Sequence, residues 1–193
     1  FKGHVIGITG TNGKTTSKQI ISNLLSQIHK THKTLGNKNN HIGVPLSMLN
    51  MVNEYTSSVI EIGTSQAGEI KSLTNLVRPN IAAITNVSAG HLEGLRDTDS
   101  IAKEKGDILQ FSDSEGVAVL PRDSSFFNSW INSTNAKKIV SFGFHKDSDF
   151  RVMSPTIDVV NNLTSFQLIH NGYREECSIN GIGIHNSLNA AMG

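Results

Sequence analysis

The chain has one cysteine, Cys177, among 193 residues, so no disulfide can form within it and nothing in the composition points to an oxidising compartment. A cytosolic home is the default expectation. It also lacks any apolar run near the roughly 20 residues of a membrane span, and its start, Phe1-Lys2-Gly3-His4, does not have the shape of a signal peptide. Charge of one sign is missing too. Seventeen basic residues against sixteen acidic ones leave a formal charge of +1, which excludes a whole-chain field for nucleic acid or an anionic membrane. No internal repeat or low-complexity segment occurs. There is no initiator methionine, and the last residues, Ala190-Ala191-Met192-Gly193, fall where a helix is beginning. The chain therefore reads as a piece of a longer polypeptide, long enough for one large domain.

What is present alternates. His4 to Thr9 is an apolar strand pattern, and Lys14 to Lys30 carries Ile20, Ile21, Leu24, Leu25 and Ile28 at helical spacing. A Gly- and Asn-rich loop at Gly36 to Gly43 precedes a short helix over Pro45 to Val52. Strands are expected at 58–62, 80–87, 117–120 and 138–142, with helices at 66–77, 99–111 and 124–132. Alternating strands and helices predict an α/β fold of the P-loop type, a mostly parallel sheet with helices on both faces. From Asp149 to Ile179 only strand patterns occur, with Asn171-Gly172 as a hairpin turn, so a small antiparallel β extension is expected there.

The strongest chemical signal is Gly10-Thr11-Asn12-Gly13-Lys14-Thr15-Thr16 between the first strand and helix. Glycines there let backbone N–H groups converge on phosphate oxygens above a helix N-terminus. Lys14 would reach the β and γ phosphates, and the Thr15 hydroxyl would meet Mg²⁺. The broad phosphate-loop pattern wants glycine where Ile8 stands, so this is the shorter G-x-x-G-K-T-T variant. Glu61 closes an apolar strand where open α/β sheets build their sites, and a carboxylate there can hold a hard cation. Asn37, Asn39 and Asn40 offer donors and acceptors without charge.

With these residues in view, the sequence resembles the Mur ligases, the ATP-dependent amide-forming enzymes of peptidoglycan synthesis, and their folylpolyglutamate synthetase relatives. The stretches that carry the resemblance are Thr9 to Thr16, Gly36 to Pro45, Val59 to Gly63, Thr85 to Gly94, Ala102 to Ile108 and Gly183 to Ala191. Gly36-Asn37-Lys38-Asn39-Asn40 and His91-Leu92-Glu93-Gly94 are most similar to the branch that adds D-alanyl-D-alanine to UDP-N-acetylmuramoyl-tripeptide. The resemblance implies a central ATP-binding domain over residues 1–193, without the UDP-binding and C-terminal domains, that is inactive in ligation when isolated. It implies ATP and two Mg²⁺ ions, with Thr15, Glu61, His91 and a CO₂-carbamylated Lys105 around the metals. Lys103 competes for that last role, since the sequence does not show which of the two points inward. Gly10 to Thr16, Asn186 and Asn189 would bind ATP, with Asn186 and Asn189 at the adenine, while Asn37, Asn39, Asn40 and Asn86 would meet substrate. The partners implied are small molecules, a UDP-N-acetylmuramoyl-peptide and D-alanyl-D-alanine, acted on by a monomer. Thr64-Ser65-Gln66 departs from the Asn-His pair of that branch, and Pro121 stands where many members have asparagine.

Two other classes share the loop. A P-loop switch or motor would leave Glu61, His91 and the Asn37 to Asn40 cluster without a role. A nucleotide-binding module without activity of its own would keep all of them.

Overall fold

The computed structural model describes residues 1–88, 97–111 and 115–193. Nine strands form one sheet: β1 (His4–Thr9), β2 (Thr31–Lys33), β3 (Ser57–Glu61), β4 (Ile81–Ile84), β5 (Val117–Pro121), β6 (Lys138–Gly143), β7 (Phe150–Asp158), β8 (Leu163–His170) and β9 (Tyr173–Asn180). Their spatial order is β2-β3-β1-β4-β5-β6-β7-β8-β9. Every pairing from β2 to β7 is parallel, and β7–β8 and β8–β9 are antiparallel. The helices are α1 (Lys14–Leu25), α2 (Gly43–Leu49), α3 (Glu69–Val77), α4 (Thr98–Gly106), α5 (Phe127–Ser133) and α6 (His185–Ala191), and a 3₁₀ turn (Asp107–Leu109) continues α4. Among the described residues no helix is long and apolar enough to cross a membrane.

The central strands β1, β3 and β4 are buried almost throughout because both faces of the sheet are covered there. Alternate residues feed two cores: Val5, Ile60, Ala82 and Ile84 pack with α3, α4 and Trp130, while Ile6, Ile8, Val59 and Ala83 pack with Ile21 of α1 and Ala191 of α6. The expected fold class is therefore the observed one. The antiparallel part is not a separate unit, because β7 joins β6 in parallel register, Phe142 against Phe150. Val152 and Phe166 of this ribbon lie in the same core as α6. Asn171 and Gly172 turn the last hairpin with φ of 50° and 81°, the left-handed pair that a two-residue turn requires.

Several boundaries differ from those expected. The first helix ends at Leu25 rather than Lys30, and the helix expected from residue 66 starts at Glu69. The second helix covers 43–49 rather than 45–52. Strand β2 had no sequence signal: it is three residues long at the sheet edge, and His32 alone is buried there. A short edge strand contributes too little apolar surface to show as a pattern.

β1 is flanked by β3 on one side and β4 on the other, so the strand order reverses there. The crevice beyond the C-terminal ends of these three strands is where open α/β sheets bind ligands. Thr9, Glu61 and Thr85 all stand at that rim.

Candidate functional site

The loop after β1 is held open to an incoming anion. Gly10 has φ 150°, and a Cβ there would fall 1.8 Å from Thr85 Oγ1. Gly13 precedes α1 at φ 81°, and a Cβ there would fall 2.4 Å from Asn189 Oδ1. Both positions exclude side chains, by backbone angle and by space. No side chain caps α1 and no acid sits in its first turn, so its leading amides and positive dipole end face the crevice. Asn86 fastens the loop from β4. Its side-chain amide donates to Asn12 O at 2.9 Å and its Oδ1 accepts from Asn12 N at 3.1 Å, while Thr85 Oγ1 donates to the same Asn12 O at 2.6 Å.

Lys14 curls over this loop and donates to the carbonyls of Gly10 at 2.8 Å and Thr11 at 3.0 Å. Desolvation holds its pKa below the ordinary lysine value, and the Glu61 charge works in the other direction. Thr15 Oγ1 lies 3.1 and 3.0 Å from the two carboxylate oxygens of Glu61. Glu61 is only 1% exposed. It also accepts from Asn39 Nδ2 at 2.7 Å and from Lys18 Nζ at 3.0 Å, and its backbone amide donates to Thr34 Oγ1 at 3.0 Å. A hydroxyl and a carboxylate side by side form an all-oxygen donor set that suits a hard divalent cation.

Lys105 is buried and Lys103 is exposed. Burial pushes the Lys105 amine down to about 8, the Lys14 cation adds to this, and Glu104 opposes it. The neighbouring Glu104 faces the start of α3, where its carboxylate accepts from Gly68 N at 2.7 Å and Ile70 N at 2.9 Å. That charge caps the positive helix end and fixes α4, and with it Lys105, against α3.

The remaining sequence candidates fall in several places. Thr16, Asn12, Asn86 and Asn189 line a cleft of about 540 Å³ together with His185 and Leu188. Asn186 is buried beside Gly181 and does not line the cleft. Asn37 is exposed and contributes its carbonyl to Asn39 N. Asn40 uses its side chain locally, accepting from the amides of Ile42 and Gly43 where α2 begins. His91 lies outside the described residues, as does its stretch Gly90 to Gly94. Thr64, Ser65 and Gln66 wrap the Glu69 carboxylate, whose burial would raise its pKa, but the hydrogen bonds from Ser65, Gln66 and Thr64 bring it below the usual range. Pro121 ends β5 opposite Phe142, and nothing else in the structure explains it.

Sequence reasoning missed Lys18, Thr34, Thr85 and His185. Lys18 had a signal, since it stands one turn after Lys14 and shares its helix face. Thr85 had none, because it fell inside the strand expected at 80–87, whereas β4 ends at Ile84.

Comparison with known proteins gives the chain a family and a fold. The profile of the Mur ligase middle domain matches residues 8–193. The UDP-N-acetylmuramoyl-tripeptide--D-alanyl-D-alanine ligase of Escherichia coli is 36% identical over 165 residues, covering 85% of this chain and 36% of that protein. A crystal structure of MurF from Acinetobacter baumannii superposes with a TM-score of 0.90 at 30% identity, covering 99% of this chain and 41% of the other. A MurF ligase from Thermotoga maritima in complex with ADP gives 0.86 at 28%, covering 100% and 44%. The chain thus spans well under half the length of these three relatives.

Proposed function

The chain belongs to the Mur ligase family, and from that premise we propose that it is the ATP-handling part of an ADP-forming ligase that joins D-alanyl-D-alanine to UDP-N-acetylmuramoyl-tripeptide. One observation carries the reading most: the Thr15 hydroxyl lies 3.0 to 3.1 Å from both oxygens of a buried strand-end carboxylate, Glu61, directly behind a phosphate loop. A phosphate loop alone serves many proteins. The similarity in sequence to UDP-N-acetylmuramoyl-tripeptide--D-alanyl-D-alanine ligases supports the branch.

In this mechanism the triphosphate lies along the loop amides and the N-terminus of α1. Lys14 exchanges the carbonyls of Gly10 and Thr11 for phosphate oxygens. The terminal carboxylate of the muramoyl-tripeptide attacks the γ-phosphorus, the bond to the β-γ bridging oxygen breaks, and ADP leaves an acyl phosphate. The amine of D-alanyl-D-alanine then attacks the acyl carbon, the amide forms, phosphate departs and the amine proton is lost. Transfer between two anions demands alignment and positive charge rather than a protein nucleophile, so no covalent enzyme intermediate is expected.

Thr15 and Glu61 would hold one Mg²⁺, with His91 and a carbamate on Lys105 contributing to a second. When bound, such ions neutralise charge on the phosphoryl oxygens. Lys105 suits carbamylation because its lowered pKa leaves a larger share of neutral amine, the form that attacks CO₂ with release of a proton.

The test is ADP release by the intact enzyme with UDP-N-acetylmuramoyl-tripeptide and a panel of amines. Release that requires both the tripeptide and D-alanyl-D-alanine is the expected result. Release driven by a polymer such as DNA, with no need for an amine, would favour a motor. Residues 1–193 by themselves are expected to bind ATP weakly without ligating.

A further inference from the structure

Lys18 is buried on the inner face of α1, with its side chain 3% exposed, and its Nζ lies 3.0 Å from Oε2 of Glu61, itself 1% exposed. The same ammonium donates to the carbonyl of Gly36. Other described lysine–glutamate pairs are of a different kind: in Lys30–Glu54 and Lys137–Glu115 all four side chains are more than half exposed, where ion pairs contribute little. The second cation of the site, Lys14, is directed to the carbonyls of Gly10 and Thr11. Hence Lys18 is the cation in direct contact with Glu61 among the described residues. A buried carboxylate without a counter-charge is strongly unfavourable.

We propose that Lys18 is the resident counter-cation of Glu61, a positioning residue that keeps the carboxylate aimed at Thr15 in the absence of a divalent cation and couples that alignment to the Gly36–Asn39 loop. The inference rests on the reading of Glu61 as a magnesium ligand. The geometry divides the labour between two lysines one turn apart: Lys14 is kept for phosphate, and Lys18 for the carboxylate. It also links three segments through one group, because Asn39 donates to the other oxygen of Glu61 while Lys18 holds Gly36. A site built this way is assembled before its ligands arrive. Its folded state does not depend on metal, whereas a protein without the Lys18 charge should depend on it.

The experiment compares thermal unfolding of the wild type, Lys18→Met, Glu61→Gln and the double variant, each in chelator and in saturating Mg²⁺ without nucleotide. Lys18→Met should lose about 10 °C in chelator and regain most of it in Mg²⁺. The double variant should return close to the wild-type midpoint in chelator, because the unpaired charge is gone, and should respond little to Mg²⁺. Such coupling is what a double-mutant cycle isolates. If Lys18→Met does not fold in chelator, the double variant must still do so for the proposal to stand. A loss that neither Mg²⁺ nor Glu61→Gln reverses would assign Lys18 to packing alone and overturn the pairing. Rescue by Glu61→Gln without rescue by Mg²⁺ would uphold the pair and overturn the metal assignment of Glu61, so the two ideas fail separately.

Discussion

At the phosphate end of the crevice Thr15, Lys18, Asn39 and Glu61 already bond to one another, whereas at the other end Asn12, Asn86 and Asn189 border an open cleft of about 540 Å³. In the first region Lys18 and Glu61 are buried, and each charge has the other as its partner. The second is bordered by the neutral amides of Asn12, Asn86 and Asn189. Charges taken out of water must be paired in advance, so the part proposed to handle phosphate and metal is bonded internally before any ligand arrives. Amide groups can be left to water at small cost, so the part that would receive the base can wait for its ligand. Internal bonding and readiness are thus assigned by chemistry rather than by position in the fold.

Substitutions can separate the two ends. Lys14→Ala should have the largest effect, a loss of turnover of about 10³-fold or more in the intact enzyme. ADP-release assays measure it, and near-normal turnover would sink the mechanism. Lys105→Met should also end ligation, yet raise stability. The folded pKa of Lys105 is about 8 against an ordinary 10.5, so below pH 8 the cation is buried at full cost. Between 8 and 10.5 the folded state sheds the proton while the unfolded state retains it, and that cost fades. The methionine variant should therefore be more stable by about 3 kcal/mol at pH 7, with the gain disappearing by pH 10.5. Denaturant titrations across pH in CO₂-free buffer would check this, and a gain that persisted at pH 10.5 would contradict the assignment.

At the open end the effects should be smaller. Asn189→Ala removes the acceptor for Ser17 Oγ, 3.3 Å away, and part of the cleft wall. It should weaken ATP binding by about tenfold and leave chemistry at saturating ATP little changed, a distinction that KM and kcat resolve. Lys103→Ala is the control. Its side chain is exposed, and stability should stay within about 0.5 kcal/mol of the parent.

Much of the phosphate end was legible in the sequence, because Gly10 to Thr16 follow the end of β1 and Glu61 ends β3, each where an apolar pattern changes. The sheet was legible for the same reason: strands covered on both faces are continuous apolar runs. What escaped was whatever depended on tertiary placement. Lys103 and Lys105 read alike until α4 is packed against α3, and Asn186 and Asn189 read alike until α6 is turned toward α1. The use of Asn40 at the start of α2 also escaped, since an asparagine side chain serves its own backbone as readily as a ligand. Strand β2 escaped because three residues at an edge carry no period.

Ser17 beside the phosphate loop and Asn189 on the last helix touch across 172 positions of sequence. A ribosome adding about 5 to 20 residues per second exposes the loop roughly 10 to 35 s before the helix that completes its wall. For that interval the nascent chain carries the loop sequence without the helix that closes its wall, so the Ser17–Asn189 contact cannot form until that helix has emerged.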